Sequence, residues 1–359
     1  MRNLLIAHPP FCKEERHYIF RVLFEEFLGL SYECYEVPGD VVQVRLADAP
    51  ETGTLLWPDI FFYKYSAERL ITASLPNEPL SAWNVGRDLP EAKVLKPIIP
   101  VVYGNPLEDG TWFEHKVKTI WLGLDIGGSA FFMLTRYEEA VLPDRDEHGR
   151  FPAKASLAYR EGFLDRPIID EYVEILWASM KRLWPELERK QREYQVHLSH
   201  DVDNALDAVN KPWLQVLRNI GGDLVKRKDL RLAYRRFMAK YGGNYDTDPL
   251  NTFDFIMDMS ERYGLTSTFY FKAGYSNSQF DENYALDVPW IQELLYRIHE
   301  RGHEIGLHPS YEAFKDSART CAEFKALLQV VERLKIIQER WGGAAALFAL
   351  GKPYHLADL

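Results

Sequence analysis

Two carboxylates separated by one residue carry the strongest chemical signal in the sequence. They are Asp201 and Asp203, in the segment Ser199-His200-Asp201-Val202-Asp203-Asn204, where an apolar-alternating strand predicted over 195–200 ends. Side chains two apart on a strand point the same way, and catalytic residues of parallel α/β folds gather at the carboxyl ends of strands. One carboxylate could then bind a metal ion while the other accepts a proton. The alternative is a strand-ending turn in which Asp203 or Asn204 caps the next helix.

A second polar motif ends another predicted strand. The run Arg301-Gly302-His303-Glu304-Ile305-Gly306-Leu307-His308 places His308 at the end of its strand, as Asp203 is placed on its own. A neutral imidazole there is a good ligand for Zn²⁺. Glu312 follows four residues later and could share the ion if residues 309–314 begin a helical turn. The alternative is that backbone groups satisfy both histidines, and we expect His303 to be structural.

The elements that must position these residues alternate regularly in the second half of the chain. Strands are predicted at 195–200, 266–271 and 303–308, and helices at 251–263, 288–301 and 323–341. This order is typical of βαβ units in a parallel sheet or barrel. The first half instead has β-rich runs between predicted helices at 13–29, 128–141 and 168–190. The charged segment 186–193 is the best linker candidate, so we place a domain boundary near residue 192.

Composition limits the classes of function. The chain has 359 residues, which suggests about two domains, and its net charge of −10 argues against non-specific nucleic-acid binding. Aromatic residues make up 14%, which excludes disorder over most of the chain. No apolar run approaches the roughly 18 residues that a transmembrane helix needs. The three scattered cysteines, Cys12, Cys34 and Cys321, predict reduced thiols rather than a disulfide framework or zinc knuckle, and hence a cytoplasmic protein.

Taken together, the two motifs resemble the polysaccharide deacetylases of the NodB-homology type. The resemblance implies that Asp201 is the general base and that Asp203 and His308 bind the metal, with Glu312 as a third ligand where that family often has His. The first half resembles the accessory domain of a bacterial subgroup, on the stretches 135–139, 148–151 and 162–167. The implied fold is α/β: an N-terminal α/β accessory domain, residues 1–192, followed by a partial, distorted (β/α) barrel of the NodB deacetylase type, residues 193–343.

The implied function is hydrolysis of N-acetyl groups on a polysaccharide or related carbohydrate, in carbohydrate metabolism. The hydrolase would cleave a linear amide C–N bond with a divalent metal, Zn²⁺, that polarises the carbonyl and activates water. Two other hypotheses stay open. One is a non-catalytic binding or interaction protein with a remnant barrel, and the other is a metal-dependent amidase acting on a non-sugar amide.

The last residues, 344–359, change character after Trp341-Gly342-Gly343. A back-translation of 344–353, shifted by one base, can encode R-Q-H-Y-L-R-W-E-N-P, which resembles a third motif of the deacetylases. We therefore expect a frameshifted tail and a truncated domain with weak or no activity. An open strand edge at 303–308 would favour self-association. The alternative is an unrelated natural tail.

Overall fold

The chain forms two compact units that divide between Glu193 and Tyr194. The structure, a computed structural model, describes residues 3–66, 68–191, 193–209, 211–277, 281, 284–313, 316–339 and 341–343. We call the two parts unit 1 and unit 2 and describe each by itself. The tail predicted to be aberrant, 344–359, lies outside the described residues, so the frameshift stays a prediction.

The strands of unit 1 form one large mixed sheet and one small pair. They are β1 (Leu4–His8), β2 (Tyr32–Glu36), β3 (Val41–Leu46), β4 (Thr54–Pro58), β5 (Ser81–Asn84), β6 (Ile98–Val101), β7 (Phe113–Lys116) and β8 (Thr119–Leu122). The large sheet has the order β2-β1-β3-β4-β8-β7, with β1 parallel to β2 and β4 parallel to β8. β5 and β6 pair with each other in antiparallel fashion. Because β1 has a partner on each side, its main chain is fully enclosed in the sheet.

The helices of unit 1 contribute apolar side chains to its core. They are α1 (Lys13–Phe20, continued as a π-helix over Arg21–Phe27), α2 (Phe61–Lys64), α3 (Val85–Asp88), α4 (Ile126–Leu134), α5 (Tyr137–Val141), α6 (Leu157–Arg160) and α7 (Ile168–Leu183). The core includes the fully buried Leu4, Trp57 and Tyr172. α7 is shorter than the predicted 168–190, because Pro185 disfavours the helical conformation of Trp184 before it.

Unit 2 contains three parallel strands and five α-helices among its described residues. They are β9 (Leu198–Val202), α8 (Trp213–Gly222, continued as a π-helix over Asp223–Arg227), α9 (Leu230–Gly242), α10 (Phe253–Arg262), β10 (Ser267–Lys272), α11 (Pro289–Glu300), β11 (Glu304–His308) and α12 (Ser317–Arg333). The strand order is β11-β10-β9. The core lies between this sheet and α10, α11 and α12, around Phe269, Leu294 and Leu327. The mixed α/β class is thus confirmed.

Local chemistry explains where the helices of unit 2 begin and end. α11 begins with Pro289 at its first turn and is followed by Gly302 at φ 76°, a left-handed position that favours glycine. α12 begins at Ser317, six residues before the predicted start at 323, because the Asp316 carboxylate caps it by accepting from Arg319 N–H. It also ends eight residues before the predicted end at 341. No helix among the described residues has the length and apolarity required to span a bilayer.

The three strands of unit 2 do not close into a ring within the described residues. β11 is an edge strand, and its outer side is nevertheless partly covered. The Gln338 side-chain amide accepts from Ile305 N–H and donates to Ile305 O, each at 2.8 Å, and Gly342 O accepts from Leu307 N–H at 3.0 Å. The open edge expected at 303–308 therefore has main-chain and side-chain partners along part of its length.

Candidate functional site

The carboxyl ends of β9, β10 and β11 bring three ionisable side chains to one edge of the sheet. In the parallel register Lys272 lies opposite His308, and Val202 lies opposite Phe271. Asp203 follows the last residue of β9, Lys272 is the last residue of β10, and His308 is the last residue of β11. Because ends of adjacent parallel strands coincide in space, residues more than a hundred positions apart become neighbours.

The distances show which predicted site residues meet. His308 Nε2 lies 3.6 Å from Asp203 Oδ1 and 3.9 Å from Asp201 Oδ2. The His308 side chain is 3% exposed, whereas those of Asp201 and Asp203 are 46% and 61% exposed. The imidazole is therefore held from within the protein, and the two carboxylates face solvent, where a substrate can reach them.

The tautomer of His308 is set by its own chain. His308 Nδ1 lies 2.9 Å from Pro309 O, and a carbonyl oxygen only accepts, so Nδ1 carries the proton. In the neutral ring, Nε2 then presents a lone pair towards two carboxylates. A cation between them would relieve the repulsion between this lone pair and the carboxylate oxygens. The donor set, one imidazole nitrogen and carboxylate oxygens, fits a divalent ion such as Zn²⁺.

Lys272 is a member of this site that the sequence analysis missed. Its side chain is 4% exposed, and its Nζ lies 3.0 Å from Asp203 Oδ1 and 3.7 Å from Asp281 Oδ1. Lysine is almost never fully buried unless it is paired. A lysine that directly follows the apolar run Phe269-Tyr270-Phe271 was the available signal. The ammonium group neutralises Asp203 and would have to share that carboxylate with a metal ion.

Asp281 anchors the lysine from the far side. Burial alone would raise the pKa of Asp281, but hydrogen bonds outweigh it and hold the pKa below its usual value. The donors are the Ser276 hydroxyl and the main-chain N–H groups of Ser276, Asn277 and Tyr311. The carboxylate is therefore a fixed negative charge, and it keeps the Lys272 ammonium at the site.

Tyr284 ties two of the strand ends together. Its hydroxyl donates to Val202 O and accepts from Lys272 N–H, both at 2.7 Å. Burial raises the pKa of this phenol far above its usual value, so it stays a neutral donor. The two bonds fix β9 beside β10 just where Asp203 and Lys272 emerge, which limits how far those side chains can separate.

Glu312, the predicted third ligand, is placed differently from the other two. Its main-chain N–H donates to the Ser276 hydroxyl at 2.9 Å, its side chain is exposed, and within the described residues its carboxylate forms no ion pair with His308. The carboxylate held close to this loop is Glu323, which accepts from Ser310 N–H at 2.9 Å. His303 has the structural role expected, since its Nδ1 accepts from Ser267 N–H at 3.1 Å.

The site therefore offers Asp203 and His308 as two protein ligands, with Asp201 beside them. Among the described residues, three ligand atoms of the kind that bind metals come within 4.8 Å of one another at a different place, at His8, His17 and Cys34. An ion at the strand ends of unit 2 would take its remaining ligands from solvent or substrate. Such an open coordination sphere is typical of catalytic rather than structural metal sites.

The fold and the site define a two-unit α/β protein with a polar site at the ends of parallel strands. The chain belongs to a family of unknown function (DUF7033), whose model matches residues 4–185, just over half of its length. No curated protein and no solved structure matches the chain.

These comparisons correct the resemblance drawn from the motifs. The identification as a polysaccharide deacetylase of the NodB type, with an accessory domain before it, is wrong: the family that the chain matches is DUF7033, over the region interpreted as the accessory domain. The reason is the brevity of the motifs. An aspartate pair and a histidine at the ends of strands serve many α/β proteins, because that edge of the sheet is where any such fold presents polar groups.

Proposed function

We propose that unit 2 is a metal-assisted hydrolase that removes acetyl groups from the nitrogen of a carbohydrate. The observation that carries the proposal is the convergence of Asp201, Asp203 and His308 at one edge of the sheet, with the His308 Nε2 lone pair directed at the carboxylates. In this proposal the three parallel strands belong to a partial, distorted (β/α) barrel. Reducing assay conditions suit the cytoplasmic location that the cysteine content predicts.

The residues divide the chemistry between them. Asp203 and His308 would hold the ion, which when bound polarises an amide carbonyl and makes water more acidic. Asp201 accepts a proton from the attacking water as the C–O bond forms. The C–N bond then breaks, and Asp201 returns the proton to the leaving nitrogen, which gives acetic acid and an amine. The acid then passes its proton to the amine, so the products are acetate and an ammonium group. Lys272 remains paired with Asp281 and would supply positive charge to the site, which favours an oxyanion.

The loop after β10 adds a surface for the substrate. Tyr275 is 48% exposed there, one residue before Ser276, which is bonded to Asp281. An exposed aromatic ring combines an apolar face with a polar tip, a combination that suits the apolar face and hydroxyl rim of a sugar ring. This feature favours a carbohydrate over an unsubstituted small amide.

One observation favours a second candidate, a metal-free binding module. Lys272 Nζ already lies 3.0 Å from Asp203 Oδ1, so the carboxylate has a cation without a metal ion. A site of this kind could bind a polar ligand through Asp201 and His308 without chemistry.

Acetate release from chitooligosaccharides, with zinc present, tests the proposal. We expect release by the full chain, loss of release in Asp201→Asn, and retention in the matched control Asp246→Asn, which changes an exposed aspartate of the same unit. Hydrolysis of small non-sugar amides alone would reassign the site to an amidase. Ligand binding without hydrolysis would support the binding module, and equal rates for Asp201→Asn and the parent would contradict the role of Asp201.

A further inference from the structure

Three side chains with nitrogen and sulfur donors meet in unit 1, far along the chain from the proposed hydrolytic residues. His8 ends β1, Cys34 lies in β2, and His17 lies on α1. β1 and β2 are parallel, with Ile6 opposite Cys34. Because side chains two apart on a strand share a face, His8 and Cys34 project from the same face of the sheet, and α1 brings His17 over that face.

The spacing of the donor atoms is close to that of a tetrahedral metal site. Cys34 Sγ lies 3.4 Å from His17 Nε2, and one ligand atom from each of His8, His17 and Cys34 lies within 4.8 Å of the other two. Zinc bonds of about 2.0–2.3 Å at tetrahedral angles place neighbouring ligand atoms about 3.3–3.7 Å apart. Small side-chain rotations would therefore bring the three donors into coordination distance.

His8 has the tautomer that a metal ligand needs. Its Nδ1 lies 2.8 Å from Pro9 O, so Nδ1 carries the proton and the lone pair is on Nε2. Metal-binding histidines almost always donate their other ring N–H to such a carbonyl or carboxylate.

Cys34 and His17 complete the set and are within reach of solvent. Both side chains are half-buried, so an ion has access to the cluster. The thiol of Cys34 faces His17 Nε2. An ion would take the place of that thiol proton.

We propose that His8, His17 and Cys34 bind one divalent ion of the zinc type, with the fourth position open to water or a ligand. Two imidazoles and one thiolate suit Zn²⁺ and Co²⁺. They do not suit Mg²⁺ or Ca²⁺, which prefer oxygen ligands. The site lies wholly within the region matched by the DUF7033 model, so it is a candidate for what that region does.

Cobalt is the probe that separates this site from the one in unit 2. A thiolate bound to Co²⁺ gives a ligand-to-metal charge-transfer band in the near ultraviolet, and the unit 2 site contains no sulfur. We expect the full chain, titrated with Co²⁺ under reducing conditions, to develop this band, and Zn²⁺ to abolish it while Mg²⁺ does not. His308→Ala should leave the band unchanged.

Two variants and two matched controls decide the outcome. Cys34→Ser should remove the band, and His17→Gln should weaken Co²⁺ binding at least about 100-fold, because even outer partners of metal ligands contribute 10–100-fold. Cys12→Ser, a half-buried thiol, and Cys321→Ser, an exposed one, should retain it. Absence of the band in the parent chain, its persistence in Cys34→Ser, or its loss in Cys12→Ser would overturn the proposal. If Cys34→Ser does not fold, the Co²⁺ affinity of His17→Gln is the test, and an affinity equal to that of the parent would contradict the proposed site.

Discussion

Two strands of this protein end in a His-Pro pair, and the two histidines are held in the same way. His8 ends β1 and His308 ends β11. In each case the ring Nδ1 bonds to the carbonyl of the following proline, at 2.8 Å for His8 and 2.9 Å for His308. Both rings are buried, and both leave Nε2 with the lone pair. A local backbone feature thus prepares an imidazole as a ligand in either unit.

What surrounds the two rings differs, and this difference sets the chemistry. His308 faces the carboxylates of Asp201 and Asp203 with the ammonium of Lys272 nearby. His8 belongs to a cluster with a second imidazole and a thiol. Oxygen ligands with a solvent-facing base suit hydrolysis, whereas nitrogen and sulfur ligands select a softer ion. The imidazole is positioned by two adjacent residues, and the function comes from residues that only the tertiary fold brings near.

The largest expected effect separates the two histidines directly. His308→Ala removes the only imidazole that we place in the hydrolytic site, so acetate release should fall to background. The cobalt–thiolate band of unit 1 should persist. Acetate assays and Co²⁺ spectra on the same preparation measure both.

His115→Ala, which changes an exposed histidine on β7, is the control for loss of a histidine as such. Full activity in His308→Ala would show that His308 takes no part in the reaction, and the proposed difference in function between the two histidines would then be wrong.

The next effect distinguishes a base from a ligand within unit 2. Asp201→Asn keeps the shape of the side chain and loses the proton acceptor, so hydrolysis should fall by about 10²–10⁴-fold. Zinc bound per chain, measured after dialysis, should not change, because Asp203 and His308 are the proposed ligands. The double variant Asp203→Ala, His308→Ala should lower the zinc content by the amount held in unit 2. Equal zinc content in that double variant and the parent would show that no ion binds at the strand ends.

Part of this arrangement could be predicted from the sequence, for a physical reason. Asp201, Asp203 and His308 could be expected to meet because ends of parallel strands coincide, and the pattern of the strands was clear. Lys272 was harder to predict, since a lysine at a strand end usually points to solvent, and the apolar run before it was a weak signal of burial. Its partner Asp281 lies in a loop that no periodicity describes.

The metal-site candidate in unit 1 shows the same limit. His8, His17 and Cys34 lie on three elements with no ligand spacing between them, and the cysteines were therefore predicted to be ordinary thiols. Glu312 shows a related limit. The turn on which its predicted role depends does form, with a bond from Ala313 N–H to Ser310 O, but the Glu312 main chain is bonded to the Ser276 hydroxyl and its side chain is exposed. The sequence spacing of residues predicts contacts within a regular helix or strand, but it does not predict the contacts of residues in loops.

The third expected effect concerns the pH dependence of stability, to which a buried carboxylate in each unit contributes. Asp125 in unit 1 accepts from the N–H groups of Ile60, Phe61 and Gly128, much as Asp281 accepts from three main-chain N–H groups in unit 2. Complete burial and the nearby Asp59 carboxylate nevertheless raise the pKa of Asp125 to about 7, whereas the pKa of Asp281 is lowered. The two carboxylates should therefore affect stability in opposite pH ranges.

The direction in which stability changes with pH follows from proton binding. Between the ordinary pKa of 3.8 and about 7, folded Asp125 binds more protons than the unfolded chain, so stability from this group is lost as pH rises through 7. Asp281 contributes stability that is lost as pH falls below its usual pKa. In urea unfolding of the parent, the free energy of unfolding should be a few kcal/mol lower at pH 8 than at pH 5, because one pKa unit corresponds to 1.36 kcal/mol. This loss of stability with pH should be smaller in Asp125→Asn. If the free energy of unfolding changes equally with pH in both proteins, Asp125 is not the group responsible.

The smallest effect concerns how the two His-Pro strands are supported. β1 is paired on both sides, by β2 and β3, whereas β11 has β10 on one side and the Gln338 amide on part of the other. Gln338→Ala removes two hydrogen bonds to Ile305, each contributing about 0.5–1.5 kcal/mol. We expect faster hydrogen exchange in β11, unchanged exchange in β1, and more self-association through the uncovered strand edge. Gln329→Ala, an exposed position on α12, is the matched control.

Since His308 ends β11, acetate release should also fall modestly in Gln338→Ala. If exchange in β11 is the same in Gln338→Ala and Gln329→Ala, the side-chain amide does not support the strand, and the pairing of Leu307 with Gly342 must protect this edge instead.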